Sequence, residues 1–111
     1  MTRIARFLPL LAALAMGSAC TTAESRAAHA AVEAGGLLLD VRTAQEYASG
    51  HVDGAVNIPI DQLEARLDEL GPKDRPVVVY CHSGGRSAYA KTLLDRAGYA
   101  EVIDIGPMGA W

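Results

Sequence analysis

Two kinds of apolar pattern take turns along the chain. Short, near-continuous apolar runs occur at Leu37–Val41 (LLLDV), Ala55–Ile58 (AVNI), Pro76–Tyr80 (PVVVY) and Val102–Ile105 (VIDI). Runs of this length bounded by glycine or proline predict buried strands. Pro76–Tyr80 is the strongest case: its β-branched residues follow one another without alternation, so both faces should be covered. Between these runs the apolar spacing becomes helical. Thr21–Ala34 is rich in Ala, Glu and Arg, which favour helix, and Gly35-Gly36 ends it. Thr43 with Glu46 three residues on reads as a capping box opening a short helix that closes at Gly50. Ile60, Leu63, Leu67 and Leu70, with charges between them, predict one amphipathic helix up to Gly71-Pro72. Arg86–Ala97 predicts another, with Ala90, Leu93, Leu94 and Ala97 inward and Gly98 as its stop. Alternating strands and helices imply right-handed crossovers. The fold class is therefore α/β, a mainly parallel sheet with helices on both faces.

The first residues break this pattern. Met1–Arg6 is short and basic, Phe7–Met16 is an apolar run of ten, and Gly17, Ser18 and Ala19 are small. That order predicts a secretory signal peptide over 1–19 and a working domain over 20–111. The apolar run is shorter than the roughly 20 residues a membrane-spanning helix needs. Pro9 argues against a buried helix. Cys20 follows the small residues and resembles the lipidated cysteine of a bacterial lipobox, although Gly17 stands where lipoboxes usually carry leucine. The expected location is the bacterial cell envelope. Lipidation at Cys20 would anchor the protein, and the membrane is expected to be touched only through that lipid. Cleavage after Ala19 or Ala23 would instead release a soluble periplasmic protein.

Composition sharpens this division. A chain of 111 residues holds one domain, and 50% hydrophobic with 21% charged residues fits a globular one. The net charge is −3. Residues 20–111 hold eight Lys+Arg and thirteen Asp+Glu, so the domain alone is −5 (8 minus 13). An acidic domain is a poor nucleic-acid binder. Two cysteines are too few for a disulfide scaffold or a four-ligand zinc site. His29, His51 and His82 do not have metal-ligand spacing. No metal or organic cofactor is expected.

The chemistry concentrates after the third run. Cys81 is the first residue past that strand, and ligands of open parallel sheets bind beyond the carboxyl ends of strands. The stretch Cys81-His82-Ser83-Gly84-Gly85-Arg86-Ser87 then opens a helix. Its glycines permit a tight turn with amides pointing inward, an anion-binding nest. The helix N-terminus adds partial positive charge, and Arg86 adds a permanent one. These effects favour thiolate over thiol, as in an activated nucleophile. A lone cysteine is often a small core residue, but a core residue requires neither a glycine pair nor an arginine at a fixed offset.

This loop resembles the active-site loop of rhodanese-family sulfurtransferases, Cys-x-x-Gly-x-Arg-Ser/Thr. Further resemblance runs through Asp40-Val41-Arg42, Glu46-Tyr47, Gly50-His51-Val52, Gly54-Ala55 and Asn57-Ile58-Pro59, then Gly98-Tyr99, Val102, Gly106 and Trp111. It covers about residues 24–111. It implies a small three-layer, single-domain rhodanese-like fold of the envelope or phage-shock type. It also implies that Cys81 carries sulfur as a persulfide, taken from a small donor such as thiosulfate and given to cyanide or a thiol acceptor. The amides of His82, Ser83, Gly84, Gly85, Arg86 and Ser87 would hold the outer sulfur. The alternative is a persulfide carrier or partner-docking module with little turnover on thiosulfate.

Individual roles remain open at this level. Arg86 either faces substrate or anchors the loop through Asp40 or Glu46, with anchoring favoured because the amides already serve the sulfur. Arg42 either reaches the mouth to attract an anionic donor or sits in a structural ion pair. His82 is read as a specificity residue, because a low-pKa thiolate needs no general base. Ser83 stands where thiosulfate-active relatives often have lysine. Ser87 starts the helix and bonds within the loop. His51, Asp53 and Asn57 are architectural, and His29 has no assigned role. Pro107 replaces the second glycine of a familial pair. Trp111 is expected to pack at the sheet end. Relatives usually continue past that tryptophan with a short helix, so the domain is either minimal or cut short there. A phosphatase or arsenate reductase on a related fold would need five residues between Cys and Arg, and here there are four.

Overall fold

The computed structural model describes residues 23–111. The signal-peptide and Cys20 expectations fall outside the described residues. Helix α1 occupies 23–33. The strands are β1 (Leu37–Asp40), β2 (Val56–Asn57), β3 (Val77–Cys81) and β4 (Val102–Pro107). Helices α2 (Ala44–Ser49), α3 (Ile60–Leu63) and α4 (Gly85–Arg96) connect them. The sheet runs in the order β2-β1-β3-β4, and every pairing is parallel.

Strand alternation builds the layers. Leu37, Leu39, Val41, Val77, Val79 and Cys81 face one side, under Leu63, Leu70, Ala90 and Leu94 of the α3–α4 layer. Leu38, Val78 and Tyr80 face the other, under Ala28, Ala31 and Val32 of α1. Val77, Val78 and Val79 are wholly buried, each contributing about 1.5–3 kcal/mol by removal from water. β3 is thus the two-sided central strand that its unbroken apolar run predicts, and it delivers Cys81 to the end of a rigid core.

Two elements differ from their sequence expectation. Ile60–Leu70 is not one α-helix. It is a single α-turn followed by a 3₁₀ segment, Glu64–Leu70, with a break at Arg66 (φ −119°, ψ 23°). The Leu67 carbonyl accepts the Tyr99 hydroxyl at 3.1 Å instead of an amide one α-turn on. The tighter winding still buries Leu63 and Leu70. β4 runs further than Val102–Ile105. A register shift against β3 leaves Ile105 as the extra residue, so that Tyr80 pairs with Gly106 and Cys81 with Pro107. Asp104 Oδ1 accepts the Gly106 amide at 2.8 Å across this bulge. Proline is tolerated at the end of β4 because, among the described strands, β4 lies at the sheet edge.

Trp111 reaches the α1 face. Its ring stacks on His29 with centroids 3.7 Å apart. Its main-chain oxygen accepts His29 Nε2–H at 2.8 Å and the Ser25 hydroxyl at 3.1 Å. His29, without a role in the sequence reading, therefore helps fasten the segment after β4 to α1.

Where α1 enters β1, backbones pass closely. A methyl group at Gly36 would lie 2.6 Å from the Ala31 carbonyl oxygen and 3.0 Å from that of Pro76. Both obstacles are main chain and cannot rotate away. Gly36→Ala should destabilise the fold by about 2 kcal/mol, a drop of roughly 8–16 °C in Tm for a domain of this size. Thermal denaturation followed by circular dichroism measures it, and an unchanged Tm would show that this approach is not tight.

Candidate active site

Cys81 ends β3, and its whole side chain is buried. Residues 82–84 turn the chain over it and into α4. The turn depends on Gly84, whose φ of 103° and ψ of −21° lie where a side chain is disfavoured. That conformation aims the Gly84 amide at Cys81 Sγ, 2.8 Å away. Cys81 Sγ–H donates to Ser87 Oγ at 3.4 Å, and the Ser87 hydroxyl donates to the Gly84 carbonyl at 3.1 Å. Once the thiol loses its proton, that hydroxyl can turn to the sulfur.

Burial pushes the Cys81 thiol up. Hydrogen bonds from the Ser87 hydroxyl and from the amides of Ser87, Gly84 and Arg86 outweigh it, and the net displacement is downward. The residue that could supply a side-chain cation is turned elsewhere. Arg86 Nη1 and Nη2 donate to Glu46 Oε1 and Oε2 at 2.8 and 3.1 Å, a two-pronged pair. The same Glu46 closes the α2 capping box with Thr43. The Arg86 guanidinium, then the capping contacts, hold the Glu46 carboxyl down at about 2. Glu46 therefore keeps its charge, and the anchor its strength, until pH falls from about 4.5 toward 2.

Asp40 does not anchor Arg86. It is wholly buried and takes Arg42 Nε and Nη2 at 2.7–3.1 Å, with the Arg42 amide at 2.9 Å. The Tyr80 hydroxyl donates to Asp40 Oδ2 at 2.7 Å and accepts the Val52 amide at 3.1 Å. Burial pushes that hydroxyl up to about 12. Arg42 also donates to the Gly50 carbonyl at 2.8 Å, and its side chain is 5% exposed. The alternative in which Arg42 reaches the mouth gives way to the ion-pair alternative, because a buried carboxylate demands its charge. Asn57 Nδ2 ties the Asp40 and Arg42 carbonyls together at 3.0 and 2.9 Å. His82, Ser83 and Gly85 are exposed at the loop surface. His51 Nδ1–H donates to the Tyr47 carbonyl and its ring stacks on Tyr47, away from Cys81.

A shallow cavity of about 250 Å³ lies between the 3₁₀ segment and α4, lined by Leu67, Tyr89, Leu93 and Arg96 among others. It includes no residue of the Cys81 loop. Among the described residues, no group of His, Cys, Asp and Glu could hold a metal ion, and no helix is long and apolar enough to cross a membrane.

The family model for the rhodanese-like domain matches residues 24–106. The chain belongs to the rhodanese-like domain family. It is 42% identical over 76 residues to a sulfurtransferase of Allochromatium vinosum, covering 68% of this chain and 70% of that protein. It is 39% identical over 69 residues to the thiosulfate sulfurtransferase PspE of Escherichia coli, covering 61% and 66%. An Escherichia coli rhodanese solved with anions superposes with a TM-score of 0.64 at 34% identity, over 68% of this chain and 89% of that one. These relatives support a rhodanese-type sulfurtransferase, with the three-layer α/β architecture described above.

Both uses of Glu46, in the α2 capping box and as the anchor of Arg86, agree with the sequence reading, and Arg42 takes the ion-pair alternative. The Asp-x-Arg spacing in Asp40-Val41-Arg42 carried a signal for that ion pair, since strand residues two apart share a face. Ser87→Ala removes the hydroxyl beside the sulfur and should raise the Cys81 thiol pKa. Ultraviolet absorbance of the thiolate across a pH titration reads the midpoint. A midpoint unmoved by the substitution would leave the amides alone responsible.

Proposed function

We propose that the protein moves a sulfane sulfur from a donor such as thiosulfate to cyanide or a thiol acceptor through a persulfide on Cys81. The observation carrying this reading is the buried Cys81 Sγ under the Gly84 amide, with Ser87 Oγ at its side. Such an arrangement favours a sulfur anion without needing a general base. The thiolate attacks the outer sulfur of the donor. A new S–S bond forms, the donor's S–S bond breaks, and its electron pair leaves with sulfite when the donor is thiosulfate. The acceptor nucleophile then takes the outer sulfur, and the electron pair returns to Cys81 as thiolate. This is ping-pong covalent catalysis, run without metal or organic cofactor. His82 and Ser83, exposed on the loop, meet donor and acceptor at the mouth, and Glu46 keeps Arg86 from folding over it.

Thiosulfate added to the purified protein should leave an adduct on Cys81 with the mass of one sulfur atom, and cyanide should remove it. Cys81→Ser should take up nothing. An adduct that survives in Cys81→Ser, or its absence with every sulfane donor, refutes the persulfide. Good loading with slow cyanide turnover would instead mark a carrier.

We further propose that residues 1–19 direct export to the bacterial envelope and that Cys20 carries lipid, on the basic–apolar–small order that precedes it. Mass spectrometry of the membrane-fraction protein should find a mature chain starting at an acylated Cys20. A free, unmodified terminus would show ordinary secretion.

A further inference from the structure

The bulge in β4 lies beside the Cys81 loop and is held by one side chain. Asp104 pairs with Val79, Ile105 is the extra residue, and Gly106 and Pro107 then pair with Tyr80 and Cys81. The register shift thus falls just ahead of the sulfur-bearing residue. Gly106 takes a φ of 76°, where a side chain is disfavoured. Its amide is fixed by Asp104 Oδ1 at 2.8 Å. Among the described residues, no cation pairs with this half-buried carboxylate.

Gly106 in turn abuts the loop. A Cβ added to Gly84 would lie 3.9 Å from the Gly106 Cα, at van der Waals contact. The bulge therefore stands against the turn from which the Gly84 amide reaches Cys81 Sγ at 2.8 Å. Bulges recur next to active sites, where they redirect the chain. We infer that Asp104 is a positioning residue for Cys81: by holding the Gly106 amide it fixes the bulge as a backstop for the Gly84 turn, and so keeps the Gly84 amide on the sulfur. It acts through Gly106 and Gly84. Where it concerns the rate of sulfur loading, the inference rests on the persulfide reading of the same site.

Substitution at Asp104 leaves the other charged and titratable groups on the elements around Cys81 in place: Arg86 with Glu46, Arg42 with Asp40, the Tyr80 hydroxyl, Asp61 of α3 and the exposed His82. A moved Cys81 midpoint then reports either position or the one charge removed, and two variants separate these. Asp104→Asn removes the charge and keeps an oxygen that accepts the Gly106 amide. Asp104→Ala removes both.

Ultraviolet absorbance of the thiolate across a pH titration gives the Cys81 midpoint of each. Asp104→Ala should raise it by about one pH unit, because a slackened turn weakens an amide bond to the charged sulfur. Asp104→Asn should leave it unmoved or slightly lower. Asp104→Ser, whose hydroxyl bonds an amide more weakly, should fall between them. Below both midpoints, Cys81 loading by thiosulfate, followed by quenched mass spectrometry, should slow about threefold in Asp104→Ala: a roughly tenfold loss of thiolate is partly offset by its greater nucleophilicity. Well above both midpoints that loss should vanish. An Asp104→Ala midpoint equal to that of the unmodified protein, even with a lowered Tm, confines Asp104 to fold stability and overturns the inference. Midpoints that move together in Asp104→Ala and Asp104→Asn overturn it too, since the carboxylate would then act through its charge. If Asp104→Ala does not fold, Asp104→Ser against Asp104→Asn decides in the same way. Failure of the unmodified protein to load from any sulfane donor removes the persulfide reading, while the midpoints still judge the role of Asp104.

Discussion

A wholly buried carboxylate organises the carboxyl end of this sheet. Taking Asp40 out of water costs several kcal/mol unless its oxygens are paired. The chain satisfies it from three directions: the Arg42 guanidinium, the Arg42 amide and the Tyr80 hydroxyl. Each donor fixes a piece of backbone. Arg42 pins the exit of β1 and, through the Gly50 carbonyl, the end of α2. Tyr80 pins β3 to β1 and, through the Val52 amide, the start of the loop toward β2. Tyr80 directly precedes Cys81, so Cys81 leaves the strand from a residue held at its hydroxyl, with the Arg42 guanidinium 5.6 Å from its ring centre. Removing one partner would leave the others with an uncompensated buried charge, which explains why Arg42 cannot also serve a ligand.

A second charge pair repeats this division of labour at the surface. Glu46 completes the capping box that Thr43 opens on α2, and its carboxylate reaches the opening turn of α4 through Arg86. The short helix α2 buries no residue of its own. Its position is instead set by these polar links and by Tyr47, whose hydroxyl donates to the Ala55 carbonyl at 2.6 Å. The reactive loop is thereby braced from β1 through Asp40 and from α2 through Glu46. Neither brace leaves a spare positive charge, so the sulfur is stabilised by dipoles and one hydroxyl. Dipoles fade quickly with distance, whereas a free cation would be felt well outside the loop. The site is consequently strong at contact and weak at range.

What the sequence made legible follows from how local each signal was. The capping box of Thr43 and Glu46 lies within four residues and needs no tertiary knowledge. The core role of Val77–Val79 and the place of Cys81 at the strand end under a turn follow from an unbroken β-branched run and the glycines after it. The Glu46 anchor for Arg86 was one of two carboxylates in view, and the burial of Asp40 decides between them. The 3₁₀ winding of Glu64–Leu70 was not legible, because apolar spacing of three and four suits either helix and the deciding bond comes from Tyr99. The β4 bulge was hidden for the same reason: an extra residue in a strand shows only against its partner. His29 looked idle because its partner, Trp111, is 82 residues away.

Burial of the sulfur also sets the order of events. Cys81 Sγ is shut off from solvent, so a bulky oxidant or protein thiol cannot meet it directly, while the outer atom of a narrow donor can be drawn in by the loop amides. A persulfide extends the side chain by about 2 Å along the new S–S bond. In the proposed reaction the outer sulfur would thus lie beyond Sγ, within the loop whose residues His82, Ser83 and Gly85 are exposed. The unloaded cysteine is sheltered, and on the proposed mechanism the loaded one would be the more accessible. Under the export proposed above, into a compartment that oxidises exposed thiols, this asymmetry would protect the resting cysteine. On the proposed reaction, donor and acceptor both meet the protein at the exposed surface of His82 and Ser83.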